Sequence, residues 1–128
     1  MLIYIDSSVV LAQLFAEDRQ PSATLWSQVL VSSRLLEYEV WNRTLARSQF
    51  PDRTQIVALL GRIDMTEMSL RVLRRALEPF PVPLRTLDAL HLATAVFLSA
   101  ESDPVQLASY DARMLTAARA LGIEAADL

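Results

Sequence analysis

Short apolar runs alternate along the chain with longer segments in which apolar residues recur every three or four positions. The first run, residues 2–5, ends at Asp6 and is followed by two serines, a pattern typical of a buried strand that leads into a capped helix. A second run, residues 104–109, is followed by Asp111 in the same way. Because short buried strands separated by helices are typical of parallel sheets covered on both faces, the pattern predicts an α/β fold.

Helical spacing and turn residues predict the other elements. Helices are predicted over residues 9–16, 21–30, 34–48, 51–60, 70–77, 87–99 and 111–121, with Pro21 and Pro51 in first turns, Ser69 and Thr86 as N-caps, and Gly61 and Gly122 at C-terminal ends. Short strands are predicted at 31–33 and 63–65, an extended loop at the prolines of 79–83, and a terminal strand or tail from Ile123. No repeat or linker divides the chain, so we expect one domain over residues 1–128.

The two most apolar segments lack the features of a signal peptide or a membrane span. Asp6 interrupts the N-terminal run, no basic residue precedes it, and no small-residue cleavage site follows it. Residues 89–100 contain His91 and two hydroxyl residues, and they are too few to cross a bilayer. We therefore expect a cytoplasmic protein with no membrane-spanning segment.

The composition excludes several kinds of chemistry. The 128 residues include no Cys and a single His, so thiolate nucleophiles, iron–sulfur clusters and the usual zinc sites lack their ligands. All 12 basic residues are Arg, and without Lys there is no Walker lysine or Schiff base. Two glycines cannot form a phosphate-binding glycine loop, and a net charge of -3 argues against a basic stripe for duplex binding. Carboxylates, hydroxyls and Arg remain to carry any chemistry.

Four acidic residues stand at positions where the predicted elements begin or end. Asp6 and Asp111 follow the two clearest strands, Asp88 lies in the first turn of a predicted helix, and Glu39 lies on another helix. Taken singly, each has a structural explanation. The first two suit helix N-caps, Asp88 suits the helix dipole, and Glu39 suits an ion pair with Arg43 four residues on.

Taken together, the four acids predict a metal site. The ends of parallel strands and the starts of the following helices meet at one edge of a sheet, where ligands bind in such folds. Carboxylates that converge there repel one another unless a cation neutralises them. Hard oxygen ligands without His or Cys favour Mg²⁺ or Mn²⁺, which suit phosphodiester hydrolysis because they activate water and stabilise the leaving oxygen.

The helical pattern does not decide which glutamate joins this site. The apolar side of the predicted helix over 34–48 runs through Tyr38, Trp41 and Leu45. It leaves Glu37 and Glu39 about 100° from its centre, on opposite flanks. Both remain candidates on geometric grounds.

Four segments resemble the signature blocks of the PIN-domain ribonucleases, in particular the VapC-type toxins of bacterial toxin–antitoxin pairs. They are residues 3–9 (IYIDSSV), 33–40 (SRLLEYEV), 87–95 (LDALHLATA) and 109–111 (SYD). The third block is highly specific, and the blocks follow in order and at suitable spacings from Ile3 to Gly122. The resemblance therefore covers nearly the whole chain.

The resemblance implies a single PIN domain, a three-layer α/β/α sandwich with a small central parallel sheet. It implies the toxin of a type II toxin–antitoxin system, an endoribonuclease dependent on Mg²⁺ with Mn²⁺ as a substitute. A VapB-type antitoxin and a toxin homodimer are the implied protein partners. The family's catalytic acids fall on Asp6, Glu39, Asp88 and Asp111, with Asp6 and Asp88 as direct metal ligands and the other two binding directly or through water.

Nearby polar residues have a structural and a functional interpretation each. Ser7 is either an N-cap or a residue that orients Asp6 or a metal-bound water, and Ser109 is a turn hydroxyl or a hydrogen-bonding neighbour of the metal. His91 lies three residues after Asp88 on the same helical face, so it either packs in the helix or orients that carboxylate.

Arginines are the candidate contacts to RNA phosphates. Relatives often have Arg at the position of Asn42, and Arg43 is the candidate substitute. The basic cluster of Arg71, Arg74 and Arg75 suits either RNA phosphates or a solvated helix face.

Two other classes of function compete with the nuclease. A PIN-like module could bind RNA or protein without cutting. An aspartate-based phosphotransfer domain is disfavoured because Ser8 stands where a phosphatase has a second Asp, and because Lys is absent.

Overall fold

The computed structural model describes residues 2–47, 52–101 and 104–128. Four strands lie within these residues: β1 (Leu2–Ile5), β2 (Val29–Ser33), β3 (Ile63–Thr66) and β4 (Val105–Ala108). Six α-helices accompany them there: α1 (Ser7–Leu14), α2 (Leu35–Leu45), α3 (Arg53–Leu60), α4 (Leu70–Ala76), α5 (Thr86–Glu101) and α6 (Ala112–Ala120). The predicted alternation of strand and helix is confirmed.

The strands form one parallel sheet in the order β3-β2-β1-β4. In this register Tyr4 of β1 stands beside Val31 of β2 on one side and Leu107 of β4 on the other. The chain builds outward from β1 to β2 and β3, then returns to place β4 on the opposite side of β1. The strand order therefore reverses between β1 and β4, which is where parallel sheets open a ligand crevice at their carboxyl ends.

The residues of β1 alternate between two cores, one on each face of the sheet. Ile3 and Ile5 enter a cluster formed with α1, α2 and α3, whereas Tyr4 enters a second cluster formed with α5 and α6. Because both faces are covered, the strands carry continuous apolar runs instead of an apolar–polar alternation. The three-layer α/β/α sandwich with a small central parallel sheet is confirmed.

Polar caps begin the helices near the sheet edge. Asp6 caps α1 by accepting from the N–H of Ser8, and Asp111 caps α6 by accepting from the N–H groups of Arg113 and Met114. At the other end of α6, Gly122 has a φ of 83°, a left-handed conformation that glycine adopts without strain. The two aspartate caps therefore fix where α1 begins after β1 and where α6 begins after β4.

The predicted helix over 21–30 is wrong. A 3₁₀ turn covers Ala23–Ser27, and Val29 and Leu30 belong to β2. β2 pairs with β1 and β3 at once, so its backbone hydrogen bonds to both neighbours outweigh the helical spacing of its apolar residues.

Smaller differences concern the boundaries of other elements. Thr86 is the first residue of α5 instead of its cap, and the helix continues to Glu101. The C-terminal tail adds a parallel bridge between Ala125 and Leu107. Two predicted positions, Ser48 and Pro51, lie outside the described residues. Within the described ranges, no helix combines the length and apolar character that a bilayer crossing requires.

Candidate active site

A cavity of about 620 Å³ opens at the carboxyl edge of the sheet. All four predicted acids line it: Asp6, Glu39, Asp88 and Asp111. They come from four different elements, namely the end of β1, the middle of α2, the first turn of α5 and the start of α6. The structure thus brings together side chains that are as much as 105 positions apart, between Asp6 and Asp111.

Asp6 is the most deeply buried of the four, with 5% of its surface exposed. One oxygen accepts from the backbone N–H of Ser8 at 3.0 Å and from the hydroxyl of the same residue, and the other accepts from the hydroxyl of Ser109. Burial raises the pKa of the Asp6 carboxyl, while the Ser109 and Ser8 hydrogen bonds oppose the rise. The site therefore holds a carboxylate whose charge is costly without a cation.

Asp88 lies half-buried across the cavity. Burial raises its pKa, the negative charges of Asp111 and Glu39 raise it further, and the positive charge of Arg85 opposes them. Asp111 uses Oδ1 for the two N–H groups that it caps, at 3.0 and 3.2 Å. Asp111 and Glu39 are thus close enough to Asp88 for their negative charges to repel its carboxylate.

Glu39 is the glutamate that joins the site. Its Oε1 is hydrogen-bonded to Nε2 of His91, and its Oε2 accepts from the hydroxyl of Ser7 at 3.3 Å. Glu37 points elsewhere and pairs with Arg34 at 3.3 Å, beside a separate cavity. Packing therefore separates two residues that helical periodicity could not.

Serine hydroxyls tie the two strand ends together at the point where the strand order reverses. Ser8 donates to Asp6 and accepts from the backbone N–H of Tyr110 at 2.9 Å. Ser109 donates to Asp6 and accepts from the backbone N–H of Asp111 at 2.9 Å. Both serines thus fix the spacing between the acid after β1 and the acid after β4. Ser109 was predictable as a neighbour of the site, whereas the only sequence signal for Ser8 was its place in the Asp-Ser-Ser cap.

The donor set fits a hard divalent cation. Among the described residues, Asp6, Asp88 and Asp111 form no direct salt bridge with an arginine. Within the same residues, no three acidic or histidine side chains converge tightly enough to enclose an ion by themselves. Mg²⁺ does not need such a cage, since it usually keeps several waters and takes one or two carboxylates plus substrate oxygens.

Positive charge at the cavity comes from Arg43 and Arg85, which both line it. Neither forms an ion pair with another described residue, so the Glu39–Arg43 pair suggested by their spacing is absent there. Asn42 is exposed and does not line the cavity. Arg43, the candidate substitute for the arginine of the resemblance, thus lines the cavity, whereas Asn42 does not.

The basic cluster on α4 lies away from the cavity. Arg71 pairs with Glu101 at 3.2 Å, and Arg75 stacks over Phe80 with 4.4 Å from its guanidinium carbon to the ring centroid. These contacts fit the solvated helix face that was one of the two interpretations of this cluster.

His91 is buried, and its hydrogen-bond partners are not the Asp88 carboxylate named in one of its two interpretations. It hydrogen-bonds Glu39 and Tyr4, not Asp88. The sequence analysis considered only neighbours along α5, whereas Glu39 approaches from α2 and Tyr4 from the central strand. The buried tyrosine in an otherwise aliphatic strand was the available signal.

Comparison with known proteins agrees with the family that the four sequence blocks resemble. The chain matches the PIN domain family over residues 3–120. It is 35% identical over 124 residues to Ribonuclease VapC46 of Mycobacterium tuberculosis, covering 94% of this chain and 93% of that protein. It is 28% identical over 128 residues to Ribonuclease VapC35 of the same organism, covering 95% of this chain and 93% of that protein.

A solved structure agrees with the fold. The crystal structure of PAE2754 from Pyrobaculum aerophilum matches with a TM-score of 0.58 at 20% identity, over 91% of this chain and 78% of that one. At this level of identity the likeness concerns the fold alone.

Proposed function

Because this chain belongs to the PIN-domain family, in its VapC-type ribonuclease group, we propose that it is a metal-dependent endoribonuclease. The proposed substrate is RNA, the reaction is hydrolysis of a phosphodiester bond, and the proposed cofactor is Mg²⁺, with Mn²⁺ as a substitute. The observation that carries the proposal is the convergence of four acidic side chains from four elements on one cavity at the strand-order reversal. A protein that only bound RNA would have no need for that concentration of negative charge.

The four acids have different proposed roles in the site. Asp6 and Asp88 are the proposed direct ligands of the cation, and Glu39 and Asp111 bind it directly or through water. A metal ion held by these carboxylates would supply activation of the attacking water and stabilisation of the leaving oxygen. Ser8 and Ser109 hold Asp6 in place, and Ser7 holds Glu39. The side chains therefore form a fixed frame before substrate arrives.

Arginines supply the proposed grip on the RNA backbone. Arg43 and Arg85 line the acidic cavity, and the guanidinium group suits bidentate contacts to phosphate oxygens. The overall charge supports this assignment. Setting the four site carboxylates aside changes the net charge from -3 to +1, since -3 + 4 = +1. The mild acidity of the chain thus comes from the proposed metal site and does not argue against an RNA substrate.

The proposed biological role is that of the toxin in a type II toxin–antitoxin system. The relatives carry VapC names, and the proposed partner is a VapB-type antitoxin that blocks the cavity. A toxin homodimer and a cytoplasmic location complete the proposal. Co-expression with the product of a small adjacent reading frame should yield a complex that no longer cleaves RNA.

The direct test is cleavage of total RNA by purified protein with Mn²⁺, read by sequencing the ends produced. We expect discrete internal cuts by the wild type, none with a chelator, and activity at background for Asp6→Asn, since an amide removes one negative charge from the metal site without changing side-chain size.

Full activity of a folded Asp6→Asn variant would overturn the site assignment. No cleavage of any RNA by the wild type, with either metal, would instead favour the module that binds without cutting.

A further inference from the structure

The chain's single histidine is buried between the proposed active site and the central strand. His91 is 1% exposed, and its ring meets that of Tyr4 edge to face, with centroids 5.8 Å apart. Nδ1 lies 2.7 Å from the hydroxyl of Tyr4, and Nε2 is hydrogen-bonded to Oε1 of Glu39. Both ring nitrogens are therefore engaged, one on the side of the core and one on the side of the cavity.

A backbone N–H favours one direction for these hydrogen bonds. The N–H of Ser33 lies 3.1 Å from the phenolic oxygen of Tyr4. A backbone N–H only donates, so the phenolic oxygen accepts there, and its own proton is available for donation to Nδ1 of His91. Burial raises the pKa of Tyr4, which keeps that proton on the phenol. Nδ1 is then an acceptor, and the ring proton resides on Nε2, which donates to Glu39.

Glu39 is thereby held from two sides. His91 on α5 donates to Oε1, and Ser7 on α1 donates to Oε2. Only 15% of the Glu39 side chain is exposed, so few waters compete for its oxygens. The orientation of this carboxylate depends on two helices other than its own.

We propose that His91 is a positioning residue for Glu39, held as its Nε2–H tautomer by the hydrogen-bonded sequence Ser33 N–H, Tyr4 hydroxyl, His91 Nδ1. The importance of His91 for RNA cleavage rests on the proposed function, whereas its tautomer and its hydrogen bond to Glu39 do not. Partners that orient a metal-site ligand typically contribute 10–100-fold in metal affinity or activity, so we expect an effect of about that size.

The tautomer is tested by nitrogen-15 NMR of the metal-free protein at neutral pH. Because the chain has one histidine, the imidazole signals need no assignment among competitors. We expect the Nε2–H tautomer in the wild type and a mixture of ring states in Tyr4→Phe, which lacks the hydroxyl that donates to Nδ1. An Nδ1–H tautomer or a doubly protonated ring in the wild type would overturn the proposal.

The positioning role is tested with two substitutions at the same site. His91→Leu fills the space without a donor, whereas His91→Gln places an amide N–H close to the position of Nε2. We expect His91→Leu to weaken Mn²⁺ binding, measured by calorimetry, and to lower kcat by about 10–100-fold. His91→Gln should recover most of both losses with KM little changed, a rescue that a purely packing role would not produce.

Thr44→Val is the matched control. It removes a buried hydroxyl from the helix that carries Glu39, where that hydroxyl donates to the backbone oxygen of Trp41 at 2.9 Å, outside the site. We expect it to lower the melting temperature without changing Mn²⁺ affinity. If folded His91→Leu binds Mn²⁺ and cleaves RNA like the wild type, or if His91→Gln is no better than His91→Leu, the positioning role is wrong.

The two proposals fail in different ways. If the wild type cleaves no RNA, the proposed function fails, and the NMR measurement still decides the direction of the hydrogen bonds. If the wild type cleaves RNA and His91→Leu cleaves it equally well, the proposed function stands and His91 has no positioning role.

Discussion

Asp6 lies where β1 ends and α1 begins, and its two oxygens serve different neighbours. Oδ1 caps α1 by accepting from the backbone N–H of Ser8, and Oδ2 accepts a hydrogen bond from the hydroxyl of Ser109, which follows β4. The cap and the proposed metal site therefore use the same side chain. Its role as a cap was predictable from the Asp-Ser-Ser pattern, whereas the contact with Ser109 depends on two strands that are far apart in sequence.

The side chain that each acidic residue contacts could not be predicted from the sequence. Periodicity placed Glu37 and Glu39 on equivalent flanks and the resemblance selected Glu39, a choice that agrees with the contacts of Glu37 with Arg34 and of Glu39 with His91. For His91, spacing along the helix suggested Asp88, because only local neighbours are visible in a single sequence. Tertiary packing brought Glu39 to the imidazole instead.

The raised pKa of Asp88 predicts how the free energy of unfolding of the metal-free protein varies with pH. Its pKa is raised in the folded state by burial and by the charges of Asp111 and Glu39, so folding favours its protonated form. That stabilisation is fully present below the unfolded pKa and is lost as pH rises through the raised folded pKa. We therefore expect Asp88→Asn to gain free energy of unfolding relative to the wild type as the pH rises above about 4, the value for an unfolded Asp.

Urea unfolding of both proteins across this range measures the difference. Asp64→Asn, an exposed change on β3, serves as the control for the removal of one negative charge. A wild type that gains stability relative to Asp88→Asn as pH rises would show that the metal-free site does not disfavour this charge.

The start of α6 shows how an element can be required by both the fold and the proposed chemistry. Asp111 accepts from two N–H groups of the first turn, and the same residue lines the acidic cavity. Strands and caps of this kind were largely predictable because their signals are local. The prediction of a helix over 21–30 was wrong because its decisive signal is not local. The pairing of β2 with two neighbouring strands cannot be read from the spacing of its own residues.

Two substitutions at Asp111 should separate its roles. Asn caps a helix about as well as Asp, whereas Ala does not. We expect Asp111→Ala to lose about 1 kcal/mol of free energy of unfolding and Asp111→Asn to lose much less. Both should lower RNA cleavage to a similar extent, because both remove the carboxylate. Chemical denaturation and initial cleavage rates supply the two readouts, and an Asn variant with full activity would leave Asp111 with a capping role alone.

The order of the strands determines where the site can form. β1 lies between β2 and β4, and the reversal at β1 opens the crevice that Asp6 and Asp111 enter from either side. Periodicity indicated a parallel sheet at whose edge the acids could meet, but it carried no information on strand order, and the resemblance to PIN-domain ribonucleases supplied the choice of Glu39. Their convergence is a property of the whole fold.

Binding of a cation at this convergence should stabilise the whole molecule. A ligand that binds only the native state at 100 times its dissociation constant adds about 2.7 kcal/mol to the free energy of unfolding. We expect Mn²⁺ to raise the melting temperature of the wild type and to have little effect on Asp6→Asn. An unchanged melting temperature in the wild type at high Mn²⁺ would favour the non-catalytic module.

The most direct measurement compares Glu39→Gln with Glu37→Gln in RNA cleavage with Mn²⁺. The two residues lie on one helix two positions apart, and only Glu39 lines the acidic cavity. Because both substitutions remove one negative charge from α2, they match in net charge and side-chain size. We predict that Glu39→Gln abolishes cleavage and that Glu37→Gln keeps it at the wild-type rate. Equal activity of the two folded variants would contradict the proposed site.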